Sequence, residues 1–401
     1  MLFKIAWKNI WRNKGRSSIV IIAIALGLWA GVFASAFVSG MMKQKVDSVI
    51  EKEISHIQFH AKGFRDEFAA DLYMKEGAQI DMALHTDSSV KSTSGRVICM
   101  AMLGSANQSG AIKAIGVDPA AETSVTGLSK SVVEGKYFEG IKRNPILVST
   151  RTAKKYKLKL RSKVVLTFQD LNGDMVAGAF RVAGIFNTHN GMNDEMNVFV
   201  KRKDIGKLIG IPQGAYHELA VMLKQHGIAE ATASKYQEIY PEQEVLCWLD
   251  LGLGMRYMME MTGSYTTILV GIILVALLFS IINTMLMAVL ERTKEIGMLM
   301  AIGMTKGKVF TVIMVETMYL ALIGGPLGLL LSYLLIQFFG EKGVDLSGAG
   351  YEEMGMASIV YPFLSTAEYI QVFVMVIVMA ILAAVYPAIK ALRLKPVEAM
   401  R

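Results

Sequence analysis

Glu291-Arg292-Thr293-Lys294-Glu295-Ile296-Gly297, continuing through Ala301-Ile302-Gly303 to Lys306 and Lys308, is the stretch whose reading decides the fold. The apolar run Tyr265 to Leu290 precedes it, and a second, Val309 to Phe339, follows. A short charged helix between two membrane spans is tied to both. It can receive a push on one side of a bilayer and pass it across. That geometry points to a transporter driven by a separate motor, not to an enzyme.

Working outward, a membrane span needs about 20 apolar residues to cross about 30 Å of hydrocarbon. Four runs qualify: Ile19 to Val38, Tyr265 to Leu290, Val309 to Phe339 and Tyr369 to Ile389. The third is expected to be interrupted at Gly324-Gly325-Pro326. A mean hydropathy of +0.41 agrees with a membrane chain. Basic residues cluster at Lys4, Lys8, Arg12, Lys14 and Arg16, at Arg292, Lys294, Lys306 and Lys308, and at Lys390, Arg393, Lys395 and Arg401. Four crossings put all three clusters on one side, which the positive-inside rule makes the cytoplasm. Much of the net charge of +8 sits in these flanks, so it predicts no nucleic-acid partner.

The fold class that follows is an α-helical membrane protein with four transmembrane helices. A large extracytoplasmic α/β domain is inserted between helices 1 and 2. The divisions are a cytoplasmic amphipathic helix at 1–16, spans at 17–40, 264–290, 309–339 and 369–390, and an ectodomain with stalks at 41–263. A coupling helix at 291–308, an external loop at 340–368 and a cytoplasmic tail at 391–401 complete it. The start resembles a signal peptide, but its apolar run is too long and lacks a small-x-small cleavage site. It reads as a retained anchor.

Within 2–14, Leu2, Phe3, Ile5, Ala6, Ile10 and Trp11 share one broad helical face, as suits a membrane-surface helix. Met42, Val46, Val49 and Ile50 extend span one as a stalk, matched by Met255 to Thr262 before span two. Between the stalks, Ile54 to His60, Ala111 to Val117, Val164 to Phe168, Phe180 to Phe186 and Asn197 to Val200 read as strands. Ser149 to Tyr156, Lys203 to Leu208 and Ile228 to Tyr240 read as helices, and Leu171-Asn172-Gly173-Asp174 as a hairpin turn. Cys99 and Cys247 both fall outside the membrane, where a disulfide and two buried free thiols stay open as readings.

No catalytic constellation stands out. His56, His60, His85, His189, His217 and His226 are scattered. On a strand, His56 and His60 would lie about 13 Å apart at roughly 3.3 Å per residue, so no metal site is expected. No Gly-x4-Gly-Lys-Ser/Thr phosphate loop occurs, so ATP hydrolysis is expected on a separate subunit. Glu316 is an acid within an apolar run, costly at the bilayer centre, and is expected to lie shallow and pair with the coupling region. The 27 methionines, among them Met255, Met258, Met259 and Met261 on the second stalk, suit surfaces that repack. Ordinary packing explains any single one.

The block Glu291 to Thr305 resembles the coupling segment of the MacB-type ABC transporter permeases. Tyr386-Pro387-Ala388 through Leu394-Lys395-Pro396 to Arg401, Glu316 with Gly324-Gly325-Pro326-Leu327-Gly328, and Ala6-Trp7-Lys8-Asn9-Ile10 with Arg12 resemble the same family. His56 to Phe64, Gly116-Val117-Asp118-Pro119 with Glu122, and Glu134-Gly135-Lys136 are most similar to its lipoprotein-releasing branch, LolC and LolE. Met300 stands where the family often has Arg. Ser149 and the segment Leu160 to Lys163 lack customary glycines.

The resemblance implies the permease subunit of an ABC complex in a bacterial inner membrane, with its large domain in the periplasm. An ABC ATPase subunit would hold ATP and Mg, with no cofactor bound by this chain. A second permease chain, identical or paralogous, a lipoprotein cargo, membrane lipids and a periplasmic carrier are the expected partners. Glu291, Arg292, Glu295, Ile296, Gly297, Met300, Ile302 and Gly303 would couple to the ATPase. Val32, Phe33, Met255, Met258 and Met259 would face cargo. Two other readings stand beside this one: an efflux permease for antibiotics or peptides, and a non-transporting signalling protein that controls a cell-wall hydrolase.

Overall fold

The computed structural model describes residues 2–12, 14–106, 108–188, 191–252, 254–346 and 359–392. The closing stretch 393–401, the loop positions 347–358 and His189 lie outside them. The chain forms two compact units.

The first unit comprises Met1–Met42, Glu260–Asp345 and Ile359–Arg401. Four helices long and apolar enough to cross a membrane run through the chain. They are Lys14–Val49, Met255–Glu291, Lys306–Lys342 and Thr366–Leu392, called here the first to fourth long helices. Ile24, Leu28, Val32, Leu274, Ile281, Leu320 and Val376 meet in their shared core. Ile22, Leu26, Ile268, Ile272, Phe279, Leu330, Val374 and Leu382 are exposed. Such an outward apolar coat suits a lipid surround. The third long helix is not interrupted: it continues through Pro326. A proline is tolerated in a membrane helix because neighbouring helices and local adjustment re-satisfy the freed backbone groups.

The small residues of the first long helix serve close packing. A Cβ on Gly27 would lie 2.6 Å from Leu277 Cδ2, and one on Gly31 2.8 Å from Ile273 Cδ1. From the third long helix, Gly328 faces the Ala25 carbonyl, 2.7 Å from where its Cβ would stand. Small residues let membrane helices approach this closely, and van der Waals contact then holds them.

The second unit is Lys43–Met259 with Leu346–Ser358. Its strands are β1 (Ile57–Ala61), β2 (Val90–Gly104), β3 (Ser109–Val117), β4 (Val132–Gly135) and β5 (Pro145–Ser149), then β6 (Lys163–Gln169), β7 (Met175–Phe186), β8 (Asn197–Lys201), β9 (Glu218–Leu223) and β10 (Gln243–Cys247). They form one mixed sheet in the order β10-β1-β9-β2-β3-β8-β5-β7-β4, with β6 between β2 and β7. The expected strands and helices appear, with one shift: residues Ile50–Ile54 are a π-helical turn, and β1 starts only at Ile57. The Asn-Gly turn is held by Asp170, whose side chain accepts from the amides of Asn172 and Asp174 at 2.8 and 2.9 Å.

The strand that organises this unit, β2, is one the sequence hides. Lys91-Ser92-Thr93-Ser94-Gly95-Arg96 is almost wholly polar, yet it pairs with β9 while the apolar half of β2 pairs with β3 and β6. Buried partners satisfy its polar side chains. Arg96 bonds Glu122 at 2.6 and 3.0 Å and Glu218 at 2.5 Å, and Ser94 donates to Glu122 at 2.8 Å. Burial alone would raise the pKa of Glu218, but Arg96, then His60 and Lys113, bring it down to about 2. His60 thus belongs to this network, 3.2 Å from Glu218, whereas His56 pairs with His226 at 2.8 Å. Cys99 and Cys247 are free thiols buried in separate clusters.

Candidate functional site

The block expected as one coupling helix over 291–308 forms a shorter helix, Thr293–Ala301, and Lys306 and Lys308 already belong to the third long helix. The second long helix ends at Glu291 and a short helix, Thr293–Ala301, follows at once. The break falls at Arg292, whose φ of −95° and ψ of 13° leave helical geometry. The Thr293 hydroxyl donates to the Leu290 carbonyl at 2.6 Å, closing the corner. The short helix ends near Gly303, whose φ of +105° is open to glycine and strained for other residues. The third long helix then starts at Lys306.

Arg292 turns inward. Its Nη1 donates to Glu316 Oε1 at 3.1 Å and its Nη2 to the Asn9 carbonyl at 3.1 Å. The two side chains are only 12% and 10% exposed. A guanidinium removed from water needs such partners, and the acid needs the cation. Its Nε is buried and makes no hydrogen bond among the described residues. Arg12 pairs with Glu295 at a more exposed position, joining the N-terminal helix Leu2–Arg12 to the short helix. In the N-terminal helix, Ala6 and Ile10 are buried while Phe3, Trp7 and Trp11 are exposed. Trp7 meets Tyr319 edge-on at 5.4 Å.

These elements line a partly open cavity of about 280 Å³. Its polar lining is Asn9, Arg12, Arg292, Glu295 and Glu316, and the rest is apolar, including Ile5, Met285, Ala288, Val289 and Ile313.

Two of the expected coupling residues turn towards the other helices. Ile296 and Gly297 are buried because the apolar stripe of the short helix faces the other helices. Met300 is half-buried against the same core. The outward face is Lys294, Met298 and Ile302, with Met298 52% and Ile302 78% exposed. Their i, i+4, i+8 spacing puts them on one helical face, and of the three only Ile302 is among the expected coupling residues. Glu291, Glu295 and Gly303 are also exposed.

The expected cargo face is divided. Val32 is 1% exposed in the helix core, and Phe33 is half-buried against Phe339. Neither forms a free surface, because small residues draw the first long helix against its neighbours. Met255 is buried with Val46, Val49 and Ile50, Met258 is half-buried, and Met259 is exposed. Among the described residues, no group of three or more His, Cys, Asp or Glu side chains is placed to hold a metal.

Residues 17–239 match the MacB-like periplasmic core domain, and 267–396 the FtsX-like permease C-terminal domain. The uncharacterized ABC transporter permease MJ1507 of Methanocaldococcus jannaschii is 25% identical over 228 residues, 55% of each chain. The macrolide export ATP-binding/permease protein MacB of Shewanella oneidensis is 32% identical over 36% of this chain and 21% of its own. The uncharacterized ABC transporter permease YknZ of Bacillus subtilis is 31% identical over 35% of this chain and 33% of its own. This chain thus spans about half the first relative's length and about a fifth of the macrolide exporter's. Among solved structures, the periplasmic region of MacB from Actinobacillus actinomycetemcomitans aligns over 51% of this chain and 94% of its own, at 12% identity and a TM-score of 0.36.

Proposed function

Since the chain belongs to the family of MacB- and FtsX-like ABC transporter permeases, we propose that it is the membrane subunit of a complex that lifts lipid-anchored proteins from a membrane leaflet. The energy comes from ATP hydrolysed by a separate ATPase subunit. A second permease chain completes the membrane part, which sits in a bacterial inner membrane with both termini and the coupling helix in the cytoplasm. The ectodomain lies in the periplasm and passes cargo to a carrier.

The observation that carries the coupling role is Arg292. It binds Glu316 and the Asn9 carbonyl at once, so the short helix, the N-terminal helix and the third long helix are tied at one point. A force applied to Lys294, Met298 or Ile302 reaches all three. Only interactions that differ between two states can convert binding into motion, and the helix break at Arg292, tied to Glu316 and Asn9, is where such a difference would act. The lipoprotein cargo is supported by the branch-like segments His56 to Phe64 and Gly116 to Pro119.

A second reading, export of a macrolide or similar amphiphile, is supported by relatives named macrolide exporters. Mass spectrometry of the intact complex purified from membranes separates them. An ATPase pair with a bound lipoprotein supports the first reading. An ATPase pair with a small amphiphile and no lipoprotein supports the second. A chain that never recruits an ATPase contradicts both.

A further inference from the structure

The contacts of His56 and His226 allow the pair only one protonation state. The Leu223 amide donates to His56 Nδ1 at 3.0 Å, so that nitrogen carries no proton. The proton of the neutral ring is therefore on Nε2, which donates to His226 Nδ1 at 2.8 Å. His226 in turn carries its own proton on Nε2 alone. A second proton on His226 would set two N–H groups against each other. A proton on His56 Nδ1 would do the same against the Leu223 amide. His56 is buried, and its pKa falls to about 4 through burial first, then His226 and Lys91. His226 is exposed and open to protons from solvent. A bridging metal does not fit, since His56 would have to give up its only ring proton while Nδ1 still accepts.

The pair closes a strained joint. The first long helix ends at Val49, the π-helical turn Ile50–Ile54 follows, and Ser55 has φ 63° and ψ −179°. That backbone region belongs almost wholly to glycine, and such strain and such turns concentrate at parts that move. His56 comes next. Its amide donates to the Val221 carbonyl at 3.1 Å, and its carbonyl accepts from the Trp248 amide at 2.9 Å. His226 opens the turn before the helix Ala229–Ile239, whose Glu230 binds Arg256 at 3.1 Å. Arg256 is the second residue of the second long helix. The imidazole pair thus links the end of one segment that joins this unit to the long helices with the start of the other.

Neighbouring charges leave the pair to govern itself. The carboxylates on the surrounding elements are Glu51 and Glu53 of the π-helical turn, Asp87 before β2, Glu230, and Asp250 after β10. Asp87 is bound by Lys235 and Tyr236, and both Glu230 and Asp250 by Arg256. The cations are Lys52 on the turn, Lys91 on β2 and Lys224 beyond β9, and Lys91 opposes a proton on His56.

We infer that the His56–His226 hydrogen bond is a pH-sensitive latch on this joint, held while both rings are neutral and opened when His226 takes up a proton. The latch goes beyond the coupling role proposed above and does not depend on which cargo is carried.

Hydrogen–deuterium exchange of the full chain in nanodiscs tests this, with rates corrected for the intrinsic effect of pH. The readout is the peptides covering 50–58 and 221–226. An ordinary imidazole titrates near about pH 6.5, so about pH 8 and about pH 5.5 bracket the change while His56 stays neutral. From the higher pH to the lower, the wild type should lose about tenfold in protection in these peptides, as for the loss of one well-made hydrogen bond, and peptides of β6 should not change. His226→Asn puts a carbonyl oxygen where Nδ1 stands, an acceptor that does not titrate, and should stay protected at both values. His226→Ala should be open at both. Equal protection of the wild type at the two pH values overturns the inference. So does an Asn variant that follows pH as the wild type does, or is as open as the Ala variant. An Ala variant protected like the wild type at the higher pH overturns it too.

Discussion

Arg292 and Glu316, 24 residues apart in sequence, meet at 3.1 Å across the corner between the short helix and the third long helix. The pair is mostly buried, so each side chain depends on the other. Removing one partner from a buried pair costs about 3–5 kcal/mol, because the remaining charge has no compensation. Glu316→Ala and Arg292→Ala are therefore each expected to lower the thermal midpoint of the detergent-solubilised protein. Because the two share one interaction, the double alanine variant should lose at least about 1 kcal/mol less than the sum of the singles. Additive losses would show that the contact contributes nothing.

The Arg96 network makes a pH prediction. Glu218 has a folded pKa of about 2 against an ordinary value of 4.5. A depressed carboxylate stabilises the fold above its unfolded pKa, and that contribution is lost as pH falls through the folded one. Stability should thus be fully present above about pH 4.5 and decline from there towards pH 2. The contribution is on the order of 3 kcal/mol. Denaturant unfolding followed by ectodomain fluorescence reads it. Glu218→Gln should flatten the acid limb and lower stability near neutral pH; an unchanged acid limb would contradict the assignment.

Close packing of the first long helix gives a prediction in which two glycines differ. At Gly27 the obstacle is the end of the flexible Leu277 side chain, while at Gly328 it is the Ala25 carbonyl. A side chain can change rotamer, but a helical backbone cannot move without disturbing its own hydrogen bonds. Gly27→Ala should cost little. Gly328→Ala should cost about 1–3 kcal/mol, the range for overpacking a close contact. Thermal melts in one detergent compare the two, and equal melting temperatures would contradict the packing described.

Arg161 stands in the segment where the family resemblance leads one to expect a glycine, and its φ is +67°. Its side chain is exposed, and its amide donates to the Val182 carbonyl at 2.8 Å. The left-handed conformation costs a non-glycine residue about 1–2 kcal/mol, offset in part by the entropy that glycine loses on folding. Arg161→Gly should stabilise the ectodomain by about 0.5–1 kcal/mol. Ser149, the other expected glycine, needs no such change: its φ of −75° is ordinary, and it caps a helix by accepting from the Thr152 amide. A destabilised Arg161→Gly would mean that the side chain makes a contact worth more than the strain.

What could be read from the sequence follows from which signals are local. Spans declare themselves through apolar length alone, and the hairpin at Asn172-Gly173 through turn chemistry. Strand β2 escaped because its Ser-Thr-Ser-Gly-Arg run is polar, and its partners, Glu122 and Glu218, are distant in sequence. The pairing of Glu316 was legible because an intramembrane acid demands a cation. The inward turn of Ile296 was not, since the block alone does not say which face meets the helices. The burial of Val32 was not legible either, since only the packing shows that Leu277 and Ile273 fill the space beside Gly27 and Gly31.

The outward face of the short helix allows coupling to be separated from folding. Ile302 is 78% exposed and Met298 52%, so a charge at either position disturbs no packed core. An exposed apolar pair on a charged segment is a suitable anchor for a partner subunit, since apolar anchors dominate binding energy at interfaces. Ile302→Glu should leave insertion and the thermal midpoint within about 0.5 kcal/mol of wild type, as for other surface changes. It should sharply weaken capture of the ATPase in a pull-down. Gly303 makes a poor probe of the same contact: a Cβ there meets nothing within 4 Å, yet a φ of +105° strains any other residue. Gly303→Ala is therefore expected to act through the backbone and to lower stability as well as capture. If Ile302→Glu captures the ATPase normally, the partner does not dock on this face. If it also unfolds the protein, Ile302 is not the free anchor described.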